Sequence, residues 1–544
     1  MKTRNYSLIG ASVISASVVL MLTACGSRQY PLPESAQGEP AVSRIDFKGR
    51  EMLGVAFTGK LVSAQESDKT TPIQNTEQYG DIVTNPVHAV AQNPISTFSI
   101  DVDTGGYANV RRFLNNGTLP PDNAVRVEEL VNYFDYHYAL PAGNAPFAVH
   151  TETVDSPWQP NAKLIKIGIQ AKDIAAAQLP SANLVFLVDV SGSMNSPDKL
   201  PLVKKTLRLL TEQLRAQDKV TLITYADGEQ LVLPPTSGSL KQTILQAING
   251  LQARGSTAGE QAIQMAYREA QKAYIKDGIN RILLATDGDF NVGITDFDTL
   301  KSTVAEKRKA GISLTTLGFG TGNYNERLME QLADAGDGNY SYIDNDNEAK
   351  KVLQRQLSST LATVAQDVKI QVEFNPAAVK EYRLVGYENR LLKNEDFNND
   401  NVDAGDIGAG HSVTALYEII PAGVSGWLNE SRYQPTASAK GNAEEYAYVN
   451  LRYKLPGQSS SKLISRPVPA SSKPLAKADS NTRFAVAVAA YGQALRGGQY
   501  NGKMNWQQII RLAQQADKPD EYGLRAEFIE LAKIAESLSA KKAE

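Results

Sequence analysis

The sequence predicts an α/β protein: a doubly wound, mostly parallel sheet, inserted in or flanked by a β-sandwich, with a C-terminal helical region. Apolar strand-like runs alternate with helical periods over residues 181–360, which predicts helices on both faces of a parallel sheet. Alternating patterns over residues 147–170 and 368–455 predict the strands of the sandwich. Apolar spacing of three and four over residues 478–540 predicts the C-terminal helices.

The individual elements follow from the period of their apolar residues. Residues 184–188 (Leu-Val-Phe-Leu-Val) are typical of a buried strand, whereas residues 200–214 carry apolar side chains at helical spacing. The predicted strands are residues 96–103, 183–188, 219–225, 281–286, 312–319, 339–343, 368–374, 382–387, 413–420 and 445–455. The predicted helices are residues 107–115, 126–134, 200–214, 239–251, 258–276, 300–310, 324–335, 348–361, 482–495, 506–516 and 521–538.

The N-terminus has the pattern of a secretory signal. Lys2 and Arg4 precede an apolar stretch over residues 6–21, and small residues follow it. Leu-Thr-Ala-Cys, ending at Cys25, resembles the lipobox of bacterial lipoproteins, which implies acylation of Cys25, for example by palmitate. Gly26 follows; in Gram-negative lipoproteins an Asp at this position usually means retention in the inner membrane, so Gly favours the outer membrane. The resemblance therefore implies a lipid anchor in the cell envelope, with the outer membrane favoured and the body facing the periplasm or the exterior.

Composition limits the remaining possibilities. The chain has 544 residues, which is too long for one core, and its single cysteine excludes an intrachain disulfide. The predicted segments are a signal peptide at 1–24, a partly disordered tether at 25–94, an N-terminal region at 95–180, the α/β domain at 181–362, a continuation of the sandwich at 363–456, a linker at 457–477 and the helical region at 478–544.

Charge and motif content argue against several functions. The formal net charge is −3, which does not favour nucleic acid as a partner. No GxSxG nucleophile motif occurs, and none of the histidines has a zinc-ligand partner at the usual spacing. We therefore expect a protein that is not an enzyme, with no small-molecule substrate. A metal-dependent hydrolase stays open as a weaker alternative.

Oxygen-bearing side chains occur at three places that a parallel sheet can bring together. Asp189, Ser191 and Ser193 follow one apolar strand, and Asp287 follows another. Thr257 lies in a Gly-flanked loop between them. Ligand sites of open α/β sheets lie at the carboxyl ends of strands. Carboxylates and hydroxyls without His or Cys suit Mg²⁺, Mn²⁺ or Ca²⁺.

This order of motifs, Asp-x-Ser-x-Ser, then Thr, then Thr-Asp-Gly, resembles the metal-ion-dependent adhesion site of the von Willebrand factor type A (VWA) family. The resemblance covers about residues 181–360 and implies that all five side chains hold a divalent cation, with Mg²⁺ favoured and Mn²⁺ or Ca²⁺ possible. In that family an acidic side chain of the partner fills the open coordination position. The flanking regions resemble those of bacterial lipoproteins that carry a VWA domain and a C-terminal domain of unknown function.

The sequence therefore predicts a lipid-anchored envelope protein that binds a partner Asp or Glu through its cation. The alternative is an envelope scaffold, in which the flanking domains bind and the metal is structural. A second acidic cluster, Asp396, Asp400, Asp403 and Asp406, lies in a Gly- and Asn-rich loop. We interpret it as a solvated loop rather than a calcium site.

Overall fold

The computed structural model describes residues 77–100, 103–256, 259–288, 297–353, 362–429, 443–516, 520 and 522–543. All of them belong to one compact unit, Pro72–Glu544. The predicted signal peptide and Cys25 lie outside the described residues. Within the described part of the chain, no helix is both long and apolar enough to cross a membrane.

The strands are β1 His88–Ala89, β2 Ile95–Ser99, β3 Phe147–Asp155, β4 Lys163–Ala171, β5 Ala182–Asp189, β6 Lys219–Tyr225, β7 Glu229–Ser237, β8 Ile279–Thr286, β9 Ser313–Phe319, β10 Tyr340–Ile343, β11 Thr363–Phe374, β12 Val379–Val385, β13 Ile407–Gly408, β14 Ser412–Pro421, β15 Glu445–Lys454 and β16 Ser461–Pro469. The helices are α1 Gly105–Asn115, α2 Val127–Asn132, α3 Leu200–Gln213, α4 Lys241–Asn249, α5 Gly259–Lys272, α6 Phe297–Arg308, α7 Glu326–Ala335, α8 Asp346–Lys351, α9 Ser480–Leu495, α10 Trp506–Gln514 and α11 Leu524–Ala543.

The central sheet has the strand order β10-β9-β8-β5-β6-β7. Its strands pair in parallel except for β7, which runs antiparallel to β6. Successive side chains of β5 alternate between two cores: Phe186 packs under α3 and α4, and Leu187 packs under α5, α6 and α7. This confirms the predicted doubly wound α/β fold.

Two antiparallel sheets form the sandwich into which the α/β domain is inserted. One has the order β1-β12-β14-β4-β3, and the other pairs β11 with β13, β15 and β2, with β16 at its edge. Their facing side chains, such as Ile167 of β4 and Ile370 of β11, share one buried core. Because β4 lies before the α/β domain and β11 after it, the α/β domain is an insertion in the sandwich.

The C-terminal helices complete a fourth core, on the opposite face of the first sandwich sheet. Helix α9 is buried along almost all of its length, including the whole Ala- and Val-rich stretch from Ala485 to Ala490. It packs with α10, α11 and α2, and with sheet residues that include Leu164 and Leu416. The helical region is therefore part of the same folded body.

The folded body begins earlier than the predicted end of the tether at residue 94. Glu77 forms an ion pair with Arg112, and Val90 is buried in the sandwich core. Gln78 donates its backbone N–H to the carbonyl of Tyr324, at a distance of 3.0 Å. The sequence pattern missed these contacts because the segment is polar and is held by long-range hydrogen bonds rather than by its own period.

A strand also occupies much of the predicted linker at residues 457–477. Strand β16 pairs along its length with β15, although the segment is rich in Ser and Pro. Most of its side chains are partly or fully exposed, so the period-two pattern is weak. Proline is tolerated there because an edge strand pairs on one side only.

Candidate functional site

Two carboxylates lie side by side where two neighbouring parallel strands end. Strands β5 and β8 pair in register, with Val188 opposite Ala285, so Asp189 and Asp287 reach the same edge of the sheet. Both side chains are fully buried. The hydroxyl of Thr286 donates to Oδ2 of Asp189 at 3.0 Å. Register thus places the predicted carboxylates together.

The two predicted serines join these carboxylates into one hydrogen-bonded group. The backbone N–H of Ser191 donates to Oδ1 of Asp189 at 2.9 Å. The hydroxyl oxygens of Ser191 and Ser193 lie 3.1 Å apart, and the hydroxyl of Ser193 donates to Oδ2 of Asp287 at 2.7 Å. Asp189, Ser191, Ser193 and Asp287 therefore form one cluster.

The fifth predicted ligand, Thr257, lies outside the described residues. The loop that leads to it is described as far as residue 256. Its Gly255 carbonyl accepts a hydrogen bond from the backbone N–H of Gly192 at 2.9 Å. The start of this loop therefore lies against the turn that carries the two serines.

Electrostatic repulsion is built into this cluster. Burial and, to a smaller extent, the neighbouring charge of Asp287 together raise the pKa of Asp189 to about 6. Hydrogen bonds from Ser191 and Thr286 offset part of this effect. Two buried carboxylates with several hydroxyls nearby are a donor set that a hard divalent cation would stabilise.

The structure adds two residues that the sequence analysis did not single out. The ammonium of Lys199 donates to Oδ2 of Asp287 at 2.9 Å and to Oδ1 of Asn323 at 3.1 Å. The amide of Asn323 donates to the same Asp287 oxygen at 3.2 Å. One signal could have found Asn323: β9 is the neighbour of β8, so the turn after it reaches the same sheet edge.

Gly288 allows the turn that follows Asp287. Its φ of 84° lies in the left-handed region, which favours glycine. A Cβ atom at this position would lie 2.7 Å from the backbone nitrogen of Asn325. Glycine therefore lets the Asp287 turn approach the Asn323 loop closely.

Within the described residues, no group of three or more His, Cys, Asp or Glu side chains is arranged to hold a metal ion. The cluster at the sheet edge is of another kind, because it combines two carboxylates with hydroxyl oxygens. That donor set fits the cation predicted from the sequence, with Asp189, Ser191, Ser193 and Asp287 as the described residues that would hold it.

Comparison with known proteins identifies the class to which this fold and site belong. Residues 183–356 match the von Willebrand factor type A domain, and residues 73–166 match a von Willebrand factor family. As a class, VWA domains mediate protein–protein interactions and commonly bind a divalent metal ion at such a site. Residues 359–538 match the C-terminal family of the uncharacterized protein YfbK.

The uncharacterized protein YfbK of Escherichia coli K12 is 49% identical over 483 residues, covering 87% of this chain and 83% of that protein. The chain therefore belongs to the YfbK family of VWA proteins. The human inter-alpha-trypsin inhibitor heavy chain H4 is 28% identical over 37% of this chain and 22% of its own length. A solved VWA structure from Catenulispora acidiphila is 16% identical, covers 70% of this chain and 88% of that chain, and has a TM-score of 0.39.

In the second acidic loop, Asp400, Asp403 and Asp406 each have a polar partner within the described part of the chain. Asp400 bonds to Arg452 and Asp403 to Arg308. Asp406 accepts hydrogen bonds from the backbone of Asp367 at 3.3 Å and the side chain of Gln366 at 3.4 Å. Asp403 and Asp406 line a cavity of about 230 Å³ between the VWA domain and the sandwich. These two residues therefore belong to a domain junction.

Replacing Asp406 by asparagine is expected to stabilise the protein more at pH 8 than at pH 5. Burial and, to a smaller extent, the charge of Asp337 together raise the pKa of Asp406 to about 8. An unfolded Asp titrates near about 3.9. The folded protein therefore binds more protons between these values, and its stability falls as pH rises through that window. Thermal unfolding at both pH values would measure the difference.

The matched control for this prediction is Asp396→Asn in the same loop. We expect the Asp406 variant alone to gain on the order of a few degrees in Tm at pH 8. An equal change in Tm at both pH values would contradict the assigned cause, because a carboxyl with a raised pKa must produce a pH-dependent difference.

Proposed function

We propose that this protein binds another protein through a divalent cation at the carboxyl edge of its VWA sheet. The observation that carries the proposal is the convergence of Asp189, Ser191, Ser193 and Asp287 at one point. Thr257 is proposed as the fifth ligand, on the motif alone. Mg²⁺ is the favoured ion. The role proposed is binding rather than catalysis.

The chain's own residues have distinct parts in this function. Asp189 and Asp287 provide negative charge, and the hydroxyls of Ser191 and Ser193 provide neutral oxygens. A bound cation would supply positive charge that attracts an Asp or Glu of the partner. Hydrogen bonds from Ser191 and Thr286 hold Asp189 in place, so that the ligand set is preorganised.

We further propose that the protein acts in the cell envelope. Cys25 is the proposed site of lipid attachment, and the outer membrane is the favoured location. Anchoring by several acyl chains would be stable, since each buried methylene contributes about 0.8 kcal/mol. The partner would then be a protein of the periplasm or of the cell exterior with an accessible acidic side chain.

A pull-down from envelope extract tests this function. Detergent-solubilised full-length protein would be used in Mg²⁺, in EDTA, and as Asp287→Ala in Mg²⁺. We expect one partner band to be lost in both EDTA and the variant. The control is Asp346→Ala, which removes an exposed carboxylate that pairs only with the exposed Lys205 among the contacts of the described residues.

A band that is kept in all lanes would contradict capture through the cation. That result would favour the envelope scaffold, in which the sandwich and the C-terminal helices bind and the ion stabilises the fold. Circular dichroism of Asp287→Ala is needed beside the pull-down, because loss of a band counts only if the variant is folded.

A further inference from the structure

A buried lysine lies directly against the candidate cation site. Lys199 immediately precedes α3, and its side chain is only 8% exposed. Its ammonium is 2.9 Å from Oδ2 of Asp287, whose side chain is fully buried. A buried lysine ammonium is strongly disfavoured unless it is paired. This pair is therefore a specific feature of the site rather than a surface contact.

The fold holds the lysine side chain in this position. The aliphatic part of the Lys199 side chain packs against Gly320. A Cβ atom added at position 320 would lie 2.3 Å from both Cγ and Cε of Lys199, so only glycine leaves room for this packing. At its backbone, Lys199 donates to the carbonyl of Ser196 and accepts from Val203 in the first turn of α3. The glycine and the helix start together direct the ammonium toward Asp287.

One of the two carboxylate oxygens of Asp287 consequently accepts several hydrogen bonds. Oδ2 accepts from Ser193, Lys199 and Asn323 at 2.7, 2.9 and 3.2 Å. One of these donors carries a full positive charge. A divalent cation held by the same carboxylate would share its negative charge with that ammonium and would be repelled by it.

We propose that Lys199 sets the divalent-cation affinity of this site by acting as a built-in positive charge. Lys199 lowers the affinity for the ion in the absence of a partner, and it leaves the bound ion with more of its positive charge. A partner carboxylate restores the balance, so ion and partner bind cooperatively. This inference rests on the proposed function and identifies Lys199 as the residue that sets the affinity of the site for the ion.

The test is a calorimetric titration of the full-length protein with MnCl₂. Lys199→Met keeps a stem of similar length against Gly320 and removes the charge. We expect its affinity for Mn²⁺ to rise by about tenfold or more, because removing a unit charge beside a divalent ion relieves repulsion. Lys205→Met is the matched control, since Lys205 is an exposed lysine on α3. It should leave the affinity unchanged.

Equal or weaker Mn²⁺ binding by a folded Lys199→Met variant would overturn the inference, because Lys199 would then be neutral or helpful to the ion. Lys199→Gln is the second variant, in case methionine prevents folding. Asp189→Asn separates the two proposals. If this variant loses the Mn²⁺ binding that wild type shows, the site stands even if the lysine inference fails. If neither wild type nor folded Lys199→Met binds Mn²⁺, the cation site itself is contradicted.

Discussion

Replacing Arg111 by alanine is expected to lower the free energy of unfolding by about 3–5 kcal/mol, the usual effect of removing one partner from a buried ion pair. The guanidinium is almost fully buried and bonds to Asp344 at 2.5 and 2.8 Å. It also bonds to Glu348 at 2.7 Å and to Glu527 at 3.0 Å. Without Arg111, the buried carboxylate of Asp344 would lose its main counter-charge, and Glu348 would rely on Lys351.

Arg111 contacts three different regions of the chain, so its removal affects the stability of the whole folded body. Arg111 lies on α1, Asp344 and Glu348 belong to the last elements of the VWA domain, and Glu527 lies on α11. One side chain therefore links the N-terminal region, the VWA domain and the C-terminal helices. We expect the variant to unfold at lower urea concentration, with near-ultraviolet circular dichroism as the measurement.

The control for Arg111 is the same substitution at an exposed helical arginine. Arg208 lies on α3 and bonds to the side chain of Asn249 at the surface. Exposed polar pairs contribute about 0–1 kcal/mol, so Arg208→Ala should shift the urea midpoint little. Equal shifts for both variants would show that Arg111 does not hold the three regions together.

Asp189→Asn is expected to remove the stabilisation that Mg²⁺ gives to the wild-type protein. An ion at about 100 times its Kd stabilises the folded state by about 2.7 kcal/mol. Asparagine is close to aspartate in shape and can still accept from the backbone of Ser191. It removes one of two adjacent buried charges, so the variant without Mg²⁺ should be at least as stable as wild type. Thermal unfolding with and without Mg²⁺ measures both effects.

The opposite signs of these two effects make the prediction specific. A general loss of structure would lower Tm in both conditions, whereas removal of a ligand lowers it only in Mg²⁺. Asp346→Asn, at an exposed carboxylate on α8, should respond to Mg²⁺ like wild type. A full Mg²⁺ response in the Asp189 variant would contradict its role as a ligand.

The sequence by itself determined the fold class and four of the described positions at the site. Buried parallel strands are continuously apolar, and the helices between them carry a strong 3.6-residue period. The strands and helices over residues 181–360 could therefore be predicted from the local sequence pattern. The Asp189 and Asp287 motifs could also be predicted as ligand positions, because each directly follows an apolar strand. Two edge strands, β7 and β16, could not be predicted, because they are partly exposed and their patterns are weak.

Only the tertiary structure decided which distant side chains share a buried environment. Lys199 and Asn323 meet Asp287 because of strand order and a glycine at position 320, and no local period encodes that meeting. Residues 77–80 and Arg111 likewise have their partners in other regions of the chain. The period of the apolar residues reports which face of each helix or strand is buried, so it is visible in the local sequence. Charged pairs join residues that are distant in the sequence, so they depend on the three-dimensional fold. The sequence therefore specified the sheet and its ligand motifs, and the structure specified the charges around them.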